Sequence, residues 1–249
     1  MSSEPIMNFT NVWKKYSKQQ VLNNSLRDEL VSVITGRKCR EELADGEFWA
    51  LKDINLTVQK GECIGLYGSN GSGKSTILKL ISNVTYPTKG TVVVQGRVAP
   101  LIELGAGMHP DLTGIENIYM NGTILGLTIR ELKRKISEIV EFSGLDDFIN
   151  TPVKKYSSGM YLRLAFSIAV HSPADIFLFD EVLAVGDDNF RIQCAERMKQ
   201  LRNEGKTILI VSHDIVELDR SCDRIEGLDH GMLQHDYSLQ YSAQCHSLV

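Results

Sequence analysis

The sequence predicts an α/β protein with two lobes, one of which is an α/β core. Strand patterns fill the start of the chain, the middle is helical, and strand patterns return in the last third. Short apolar runs at 63–67, 176–179 and 207–211 are typical of strands that are buried on both faces of a parallel sheet. Because such strands alternate with helical segments, the pattern favours the α/β class.

The first segments of the chain alternate apolar and polar residues. Residues 7–16 and 48–58 predict two strands, and β-branched residues at 91–94 predict another. The stretch 17–47 is an insertion between the first two strands. Within it, Ser25 and Gly36 suit the two ends of a helix. The apolar face of this predicted helix consists of Leu26, Leu30, Val33 and Ile34.

The middle of the chain carries helix signals. Thr128 and Glu131 form a capping box, and an apolar stripe follows them at helical spacing. Residues 161–170 predict a second helix in this region. The polar tail after Asp236 is assigned no element.

Composition limits the class of protein. The chain has 249 residues, of which 43% are hydrophobic and 23% charged, so it can bury a core and is not disordered as a whole. The net charge is −4 and its charges are mixed, which argues against a nucleic-acid binder. The five cysteines are scattered without metal-ligand spacing and favour reduced thiols in the cytosol. No apolar run spans a bilayer and no signal peptide is recognisable, so any pore would come from another chain.

A glycine-rich segment predicts a phosphate-binding site. Residues 68–75, the phosphate loop, have the sequence Gly-Ser-Asn-Gly-Ser-Gly-Lys-Ser, which matches the motif Gly-x4-Gly-Lys-Ser. The loop lies between a predicted strand and a predicted helix at 76–81, as this motif requires. Glycines let backbone N–H groups approach phosphate oxygens, and the helix N-terminus favours anions. Lys74 would reach the β- and γ-phosphates, and the Ser75 hydroxyl would ligate Mg²⁺. The predicted nucleotide contacts are Gly68, Ser69, Asn70, Gly71, Ser72, Gly73, Lys74, Ser75 and Thr76.

The motif by itself does not distinguish a kinase, a GTPase and an ATPase. The alternative without nucleotide binding is a glycine-rich turn that matches the motif by chance. Two further strand ends narrow the choice. Asp180 follows an apolar strand and would hold Mg²⁺, and Glu181 after it would polarise the attacking water as a general base. His213 ends a second core strand and would hydrogen-bond the γ-phosphate.

Together these residues resemble the nucleotide-binding subunit of an ABC transporter. Residues 156–160, Tyr-Ser-Ser-Gly-Met, stand where that family carries Leu-Ser-Gly-Gly-Gln. The resemblance implies that Ser157 and Gly159 contact the γ-phosphate of ATP held by a partner copy, and that ATP and Mg²⁺ are the cofactors. It also implies an ABC-type fold with a RecA-like core lobe, an antiparallel β lobe and a helical lobe at about 104–170, in a single domain 1–249 with no C-terminal carbohydrate-binding domain.

Other family positions follow from the same resemblance. Residues 184–187 take the place of the D-loop, and Glu103 is the nearest candidate for the Q-loop residue. Tyr16 ends the first strand where the family stacks an aromatic ring on adenine. Trp49 and Phe48 are rivals for that role.

Several segments resemble one branch of the family, which exports polysaccharides and teichoic acids. They are 48–54, 101–117, 156–160 and 181–187, and the insertion 17–47 also fits this branch. The branch implies a homodimer of this chain beneath a dimer of a separate multi-span permease, at the cytoplasmic face of the bacterial inner membrane. The implied cargo is a lipid-linked polysaccharide, and O-antigen is the leading candidate for it.

Three alternatives stay open at this point. One is a subunit for another cargo, including an importer. The second is a soluble ABC protein of DNA repair or translation, although this chain has neither a coiled-coil insertion nor two fused cassettes. The third is an inactive cassette, against which the presence of Lys74, Asp180, Glu181 and His213 argues.

Overall fold

The computed structural model describes residues 4–17, 43, 46–101, 107–180 and 187–234. Strands and helices alternate through most of this part of the chain. The strands are β1 Met7–Ser17, β2 Glu47–Val58, β3 Cys63–Tyr67, β4 Lys89–Val94, β5 Val98–Pro100, β6 Ile176–Asp180, β7 Thr207–Ser212, β8 Arg224–Asp229 and β9 Met232–Gln234. The helices are α1 Lys74–Ile81, α2 Gly114–Ile124, α3 Ile129–Ser143, α4 Ser158–Val170, α5 Asp188–Asn203 and α6 Ile215–Ser221. Two 3-10 turns lie at Asp146–Phe148 and Val153–Lys155.

The core of the molecule is a six-stranded sheet in the order β5-β6-β7-β3-β8-β9. All neighbouring strands in it are parallel except β8 and β9. Successive residues of a strand point to opposite faces, so the apolar runs of β3, β6 and β7 supply two separate cores. One face packs on α1 and the antiparallel sheet, and the other packs on α4, α5 and α6.

The second sheet is a three-stranded antiparallel layer in the order β2-β1-β4. Its inward residues share one hydrophobic core with α1 and with the six-stranded sheet. Met7, Val12, Leu51 and Ile54 are fully buried in that core. The layer is therefore attached directly to the helix that follows the phosphate loop.

The helical lobe consists of α2, α3 and one face of α4 around their own core, which includes Ile118, Leu132, Ile139 and Leu164. The capping box predicted at Thr128 begins α3, with the Thr128 hydroxyl accepting from the backbone N–H of Glu131. An equivalent box begins α2. Each box satisfies N–H groups that a helix start leaves unpaired, which explains why these exposed helices begin where they do.

Asn117 holds the segment that enters the helical lobe. Its side chain is fully buried, and Nδ2 lies within hydrogen-bonding distance of the carbonyls of His109 (3.1 Å), Leu112 (3.1 Å) and Thr113 (2.9 Å). Its Oδ1 accepts from the His109 N–H at 2.8 Å.

We expect Asn117→Ala to lower the free energy of unfolding by about 2–3 kcal/mol, because buried backbone groups lose their partners. Urea unfolding measures this, and Asn121→Ala, one turn further along α2, is the matched control with a loss below about 1 kcal/mol.

The cysteines in the described part of the chain are free thiols. Cys63, Cys194 and Cys222 form no disulfide. Burial raises the pKa of the Cys194 thiol to about 12, so this side chain behaves as a small apolar residue. A hydrogen bond from the Cys222 thiol lowers the pKa of Cys63, which also donates to the Ser221 carbonyl at 3.2 Å.

The α/β prediction, with antiparallel strands at the start and a helical middle, is confirmed. The predicted elements are present with small extensions: the helix at 76–81 begins at Lys74, and the helix at 161–170 begins at Ser158. Several elements were not predicted, namely β5, β8, β9, α2, α5 and α6.

The predicted helix within 17–47 and the tail after Asp236 lie outside the described residues. The single-domain assignment, the absence of a C-terminal carbohydrate-binding domain and the limits of the helical lobe stay predictions. None of the helices in the described ranges combines the length and apolar character needed to cross a bilayer.

Candidate nucleotide-binding and hydrolysis site

The phosphate loop leaves the centre of the six-stranded sheet. It follows β3, which is flanked on both sides by parallel strands, and it runs into α1. Two of its glycines are required by close approach. A Cβ at Gly68 would lie 2.3 Å from the Leu228 carbonyl oxygen, and a Cβ at Gly73, whose φ is 115°, would lie 2.8 Å from the Ala50 carbonyl oxygen. The loop is thus held between the end of β8 and strand β2, in a shape that only glycine permits at these positions.

Lys74 folds back over this loop. Its Nζ donates to the carbonyl oxygens of Gly68 at 2.6 Å and Ser69 at 3.0 Å, and the residue is only 6% exposed. Gly73 precedes α1 without a side-chain cap, and the first turn contains no acidic residue. The start of α1 therefore combines a buried ammonium group with backbone N–H groups at the positive end of a helix, which suits an anion.

The ends of three parallel strands bring Asp180 to the same edge of the sheet. Asp180 lies beside Val211 of β7 in the strand register, and Val211 lies beside Leu66 of β3, just before the loop. The Asp180 side chain is half-buried, whereas Ser75 in the first turn of α1 is exposed. A hydroxyl and a carboxylate at one edge are oxygen ligands of the kind that Mg²⁺ prefers.

His213 follows β7 at this edge and is exposed. The residues on either side of it are tied down. The Asp214 N–H donates to the Ser212 hydroxyl at 3.0 Å, and the Asp214 carboxylate caps α6 through the N–H groups of Val216 (2.9 Å) and Glu217 (3.2 Å). His213 therefore stands in a fixed turn between a core strand and a capped helix.

These residues fit an ATP–Mg²⁺ complex. Gly68 packs so closely on the Leu228 carbonyl that any Cβ there would displace the loop, and the Lys74 ammonium is held against this loop by the Gly68 and Ser69 carbonyls. Among the described residues, no group of three or more His, Cys, Asp or Glu side chains could hold a metal ion. A metal at this edge would accordingly take few protein ligands, of which Ser75 and Asp180 are the candidates, together with phosphate oxygens and water.

Ser157 is the N-cap of α4 in the helical lobe, so the signature segment opens a helix as the resemblance implied. It is exposed, and its hydroxyl accepts from the Met160 N–H at 3.2 Å within its own helix rather than bonding to the phosphate loop. A Cβ at Gly159 would meet only the Ser157 hydroxyl, at 3.9 Å, so space is open above this turn. Tyr156 anchors it by donating to the Phe148 carbonyl at 2.8 Å, and burial raises the pKa of its phenol.

Tyr16 lies on β1, the strand paired with the β2 strand that packs on the phosphate loop. Gly73 packs against Ala50 and Leu51 of β2, and Leu51 pairs with Lys14 of β1, two residues before Tyr16. The Tyr16 ring is half-buried and pairs with Phe48, with ring centroids 6.3 Å apart.

The rival Trp49 is engaged elsewhere in the sheet, since it packs edge-on against Trp13 with centroids 5.3 Å apart. The predicted general base Glu181, the Q-loop candidate Glu103 and residues 184–186 of the D-loop lie outside the described residues.

Sequence reasoning missed two connections of the site. Asp187 caps α5 by accepting from the Phe190 N–H at 2.9 Å, and its carboxylate lies 3.7 Å from the guanidinium of Arg163 in α4. Arg163 also donates to the Ser143 carbonyl at 2.9 Å. It therefore joins α4, whose N-cap is Ser157, to the start of α5. A lone arginine within the apolar run 162–170 is the signal that could have identified it.

Residues 51–184, more than half of the chain, match the ABC transporter family. The chain belongs to the ABC transporter family. Among its relatives, this ABC transporter chain is 42% identical over 231 residues to the O-antigen export system ATP-binding protein RfbB of Klebsiella pneumoniae, covering 93% of each chain. It is 46% identical over 187 residues to the teichoic acids export ATP-binding protein TagH of Levilactobacillus brevis. That match covers 75% of this chain and 52% of the relative.

Solved structures of ABC cassettes share the fold. A dimeric ATP-binding cassette in a post-hydrolysis state, bound to ADP and Pi, superposes with a TM-score of 0.71 at 24% identity. The match covers 92% of this chain and 97% of that one. The ATP-binding subunit of another ABC transporter gives a TM-score of 0.74 at 18% identity, covering 96% and 93%. The ABC-type arrangement of core, antiparallel layer and helical lobe is therefore confirmed.

Proposed function

We propose that this chain is the ATP-binding and ATP-hydrolysing subunit of an ABC transporter that exports a lipid-linked polysaccharide, foremost O-antigen, across the inner membrane. The observation that carries the proposal is the 42% identity to an O-antigen export ATP-binding protein over 93% of both chains. The geometry of the phosphate loop supports the ATPase part. A Lys74 ammonium inside a glycine cradle, with Asp180 on the same sheet edge, suits Mg-ATP.

Within the chain, each proposed contact has a distinct task. The loop residues Gly68 to Gly73 direct backbone N–H groups at the phosphates, and Thr76 lies on the first turn of α1. Lys74 neutralises charge on the β- and γ-phosphates, and Ser75 and Asp180 hold the metal. Tyr16 stacks on adenine near the end of β1, the central strand of the antiparallel layer. His213 donates a hydrogen bond to the γ-phosphate from the end of β7.

Hydrolysis in such a site is mainly a matter of positioning. Mg²⁺ supplies charge neutralisation at the phosphate oxygens when bound. Glu181, directly after Asp180 in the chain, accepts a proton from the attacking water. Lys74 and the loop N–H groups stabilise the charge that moves onto the leaving phosphate oxygen.

The site is completed by a second copy of the chain. Ser157 is exposed at the start of α4, and the space above Gly159 is open. In a head-to-tail homodimer these groups meet the γ-phosphate bound to the other copy. A separate multi-span permease dimer forms the pore, and the dimer lies beneath it as a peripheral subunit at the cytoplasmic face.

The test is made in the source cell with Glu181→Gln at the chromosomal locus. We expect surface polysaccharide to disappear and lipid-linked polymer to accumulate inside, both measured by gel electrophoresis and surface labelling of the polymer. Glu138→Gln, an exposed acid on α3, is the matched control. If the Glu181 variant is expressed and lacks ATPase activity while surface polymer is unchanged, the cargo assignment is wrong.

A second candidate cargo, teichoic acid, is favoured by the 46% identity to a teichoic acids export ATP-binding protein. The same experiment separates the two, because the accumulated polymer is either a glycan or a polyol phosphate. Phosphorus analysis of the trapped lipid-linked material distinguishes them.

A further inference from the structure

The antiparallel layer carries a buried cation next to the proposed adenine platform. Lys14 is only 9% exposed, although lysine is rarely buried without compensation. Its Nζ donates to the Thr85 hydroxyl at 2.6 Å and to the Tyr86 carbonyl at 2.9 Å. The same Nζ lies over the Tyr16 ring, 4.9 Å from its centroid. The Lys14 ammonium thus lies against one face of the Tyr16 ring, and two oxygen acceptors hold the ammonium in that position.

The position of these acceptors connects the ring to the phosphate loop. Thr85 and Tyr86 follow α1, whose first turn belongs to the loop, and Thr85 is itself buried. On the other side, Gly73 of the loop packs against Leu51, which pairs with Lys14 across β1 and β2. The end of β1 is therefore connected to both ends of the α1 segment, through the Lys14 side chain at Thr85 and Tyr86 and through the paired strand β2 at Gly73.

We propose that Lys14 is a positioning residue for the base of the bound nucleotide. Its ammonium group contacts one face of the Tyr16 ring and holds the ring in place, so that the opposite face of the ring receives the purine. This inference rests on the proposed function, in which Tyr16 stacks on adenine. Two physical effects contribute. The cation restricts the ring, so less conformational freedom is lost on binding. It also withdraws electron density from the ring, which favours stacking of an electron-rich purine on the opposite face.

The chain offers a matched control for this lysine. Lys89 in β4 lies over the Trp13 and Trp49 rings at 6.0 and 5.9 Å from their centroids. It is a cation over aromatic rings in the same layer, but its rings are not the proposed platform. Lys89→Met therefore removes a similar interaction without touching Tyr16.

The experiment measures dissociation constants by calorimetry in EDTA, which prevents hydrolysis. The probes are ATP and inorganic tripolyphosphate, which lacks a base. We expect Lys14→Met to weaken ATP binding by about 3- to 10-fold, within the range of cation–π interactions, and to leave tripolyphosphate binding unchanged. Lys14→Arg should restore most of the ATP affinity, and Lys89→Met should change neither ligand. In a Tyr16→Ala background, Lys14→Met should have no further effect, since its action passes through the ring.

Each other result has a definite meaning. If Tyr16→Ala leaves ATP binding unchanged, the adenine platform of the proposed function is wrong and the inference falls with it. If Tyr16→Ala weakens ATP binding but Lys14→Met does not, only the role of Lys14 is wrong. Equal loss for ATP and tripolyphosphate would mean that Lys14 supports the phosphate loop, which also overturns the inference. Should Lys14→Met fail to fold, Thr85→Val carries the same comparison with an expected loss of about 2-fold for ATP alone.

Discussion

Replacement of Lys74 by methionine is expected to reduce ATP turnover by at least about 10²-fold and to weaken ATP binding strongly. The reason lies in the position of the charge. The Lys74 ammonium is nearly excluded from water and is held inside the loop by the Gly68 and Ser69 carbonyls, so its attraction for a phosphate is weakly screened. Methionine keeps an unbranched apolar side chain of nearly the same length, one atom shorter, and removes the ammonium group with its charge and its donors.

The measurement is phosphate release by the purified chain, together with ATP titration. Lys79→Met, in the last turn of the same helix, is the control and should stay near wild type. Thermal unfolding of each variant shows whether the chain still folds. A Lys74 variant that hydrolyses ATP within about twofold of wild type would exclude the proposed role of this residue.

Glu181→Gln is expected to keep ATP affinity within about threefold while lowering turnover by about 10²-fold or more. The amide occupies the same volume as the carboxylate but cannot accept a proton from water. Because Glu181 follows Asp180 at the carboxyl end of β6, the substitution leaves the proposed metal ligand in place. Retained binding with lost turnover is the pattern that separates a general base from a binding residue.

The same variant reports on the composite site. If two chains enclose the nucleotide, the slow variant should remain dimeric in the presence of Mg-ATP, as measured by light scattering after gel filtration. Glu138→Gln again serves as the control. Unchanged turnover in Glu181→Gln would assign the base to another residue, whereas loss of ATP binding would indicate a structural role for Glu181.

Much of the fold could be predicted because its signals are local. The buried strands β3, β6 and β7 are continuous apolar runs, and the start of α3 is set by hydrogen bonds between Thr128 and Glu131, three residues apart. Elements without such signals were missed. Helix α5 is rich in charge and buries only Phe190, Cys194, Met198 and Leu201, and strand β5 is short and ends in proline. Their burial depends on the sheet against which they pack.

The candidate site divides in the same way. The phosphate loop is contiguous in sequence, so its glycines and Lys74 can be recognised as a motif from the sequence alone. Arg163 and Lys14 carry no such pattern. Their partners, Asp187 and Ser143 for the first and Thr85 and Tyr86 for the second, are separated from them by up to 72 residues. Only the folded chain reveals those partners.

Residue types at short spacing were enough to identify the chemistry of the site, namely a glycine-rich loop with a lysine, acids and a histidine at strand ends, and membership of the ABC transporter family. The strand ends that share one edge of the sheet became known only from the folded chain. It placed Asp180 beside Val211 and Val211 beside Leu66, and it brought Lys14 between the Tyr16 ring and the segment that follows α1. Strand order and side-chain contacts between distant segments arise from the packing of the whole core, which no local pattern in the chain encodes.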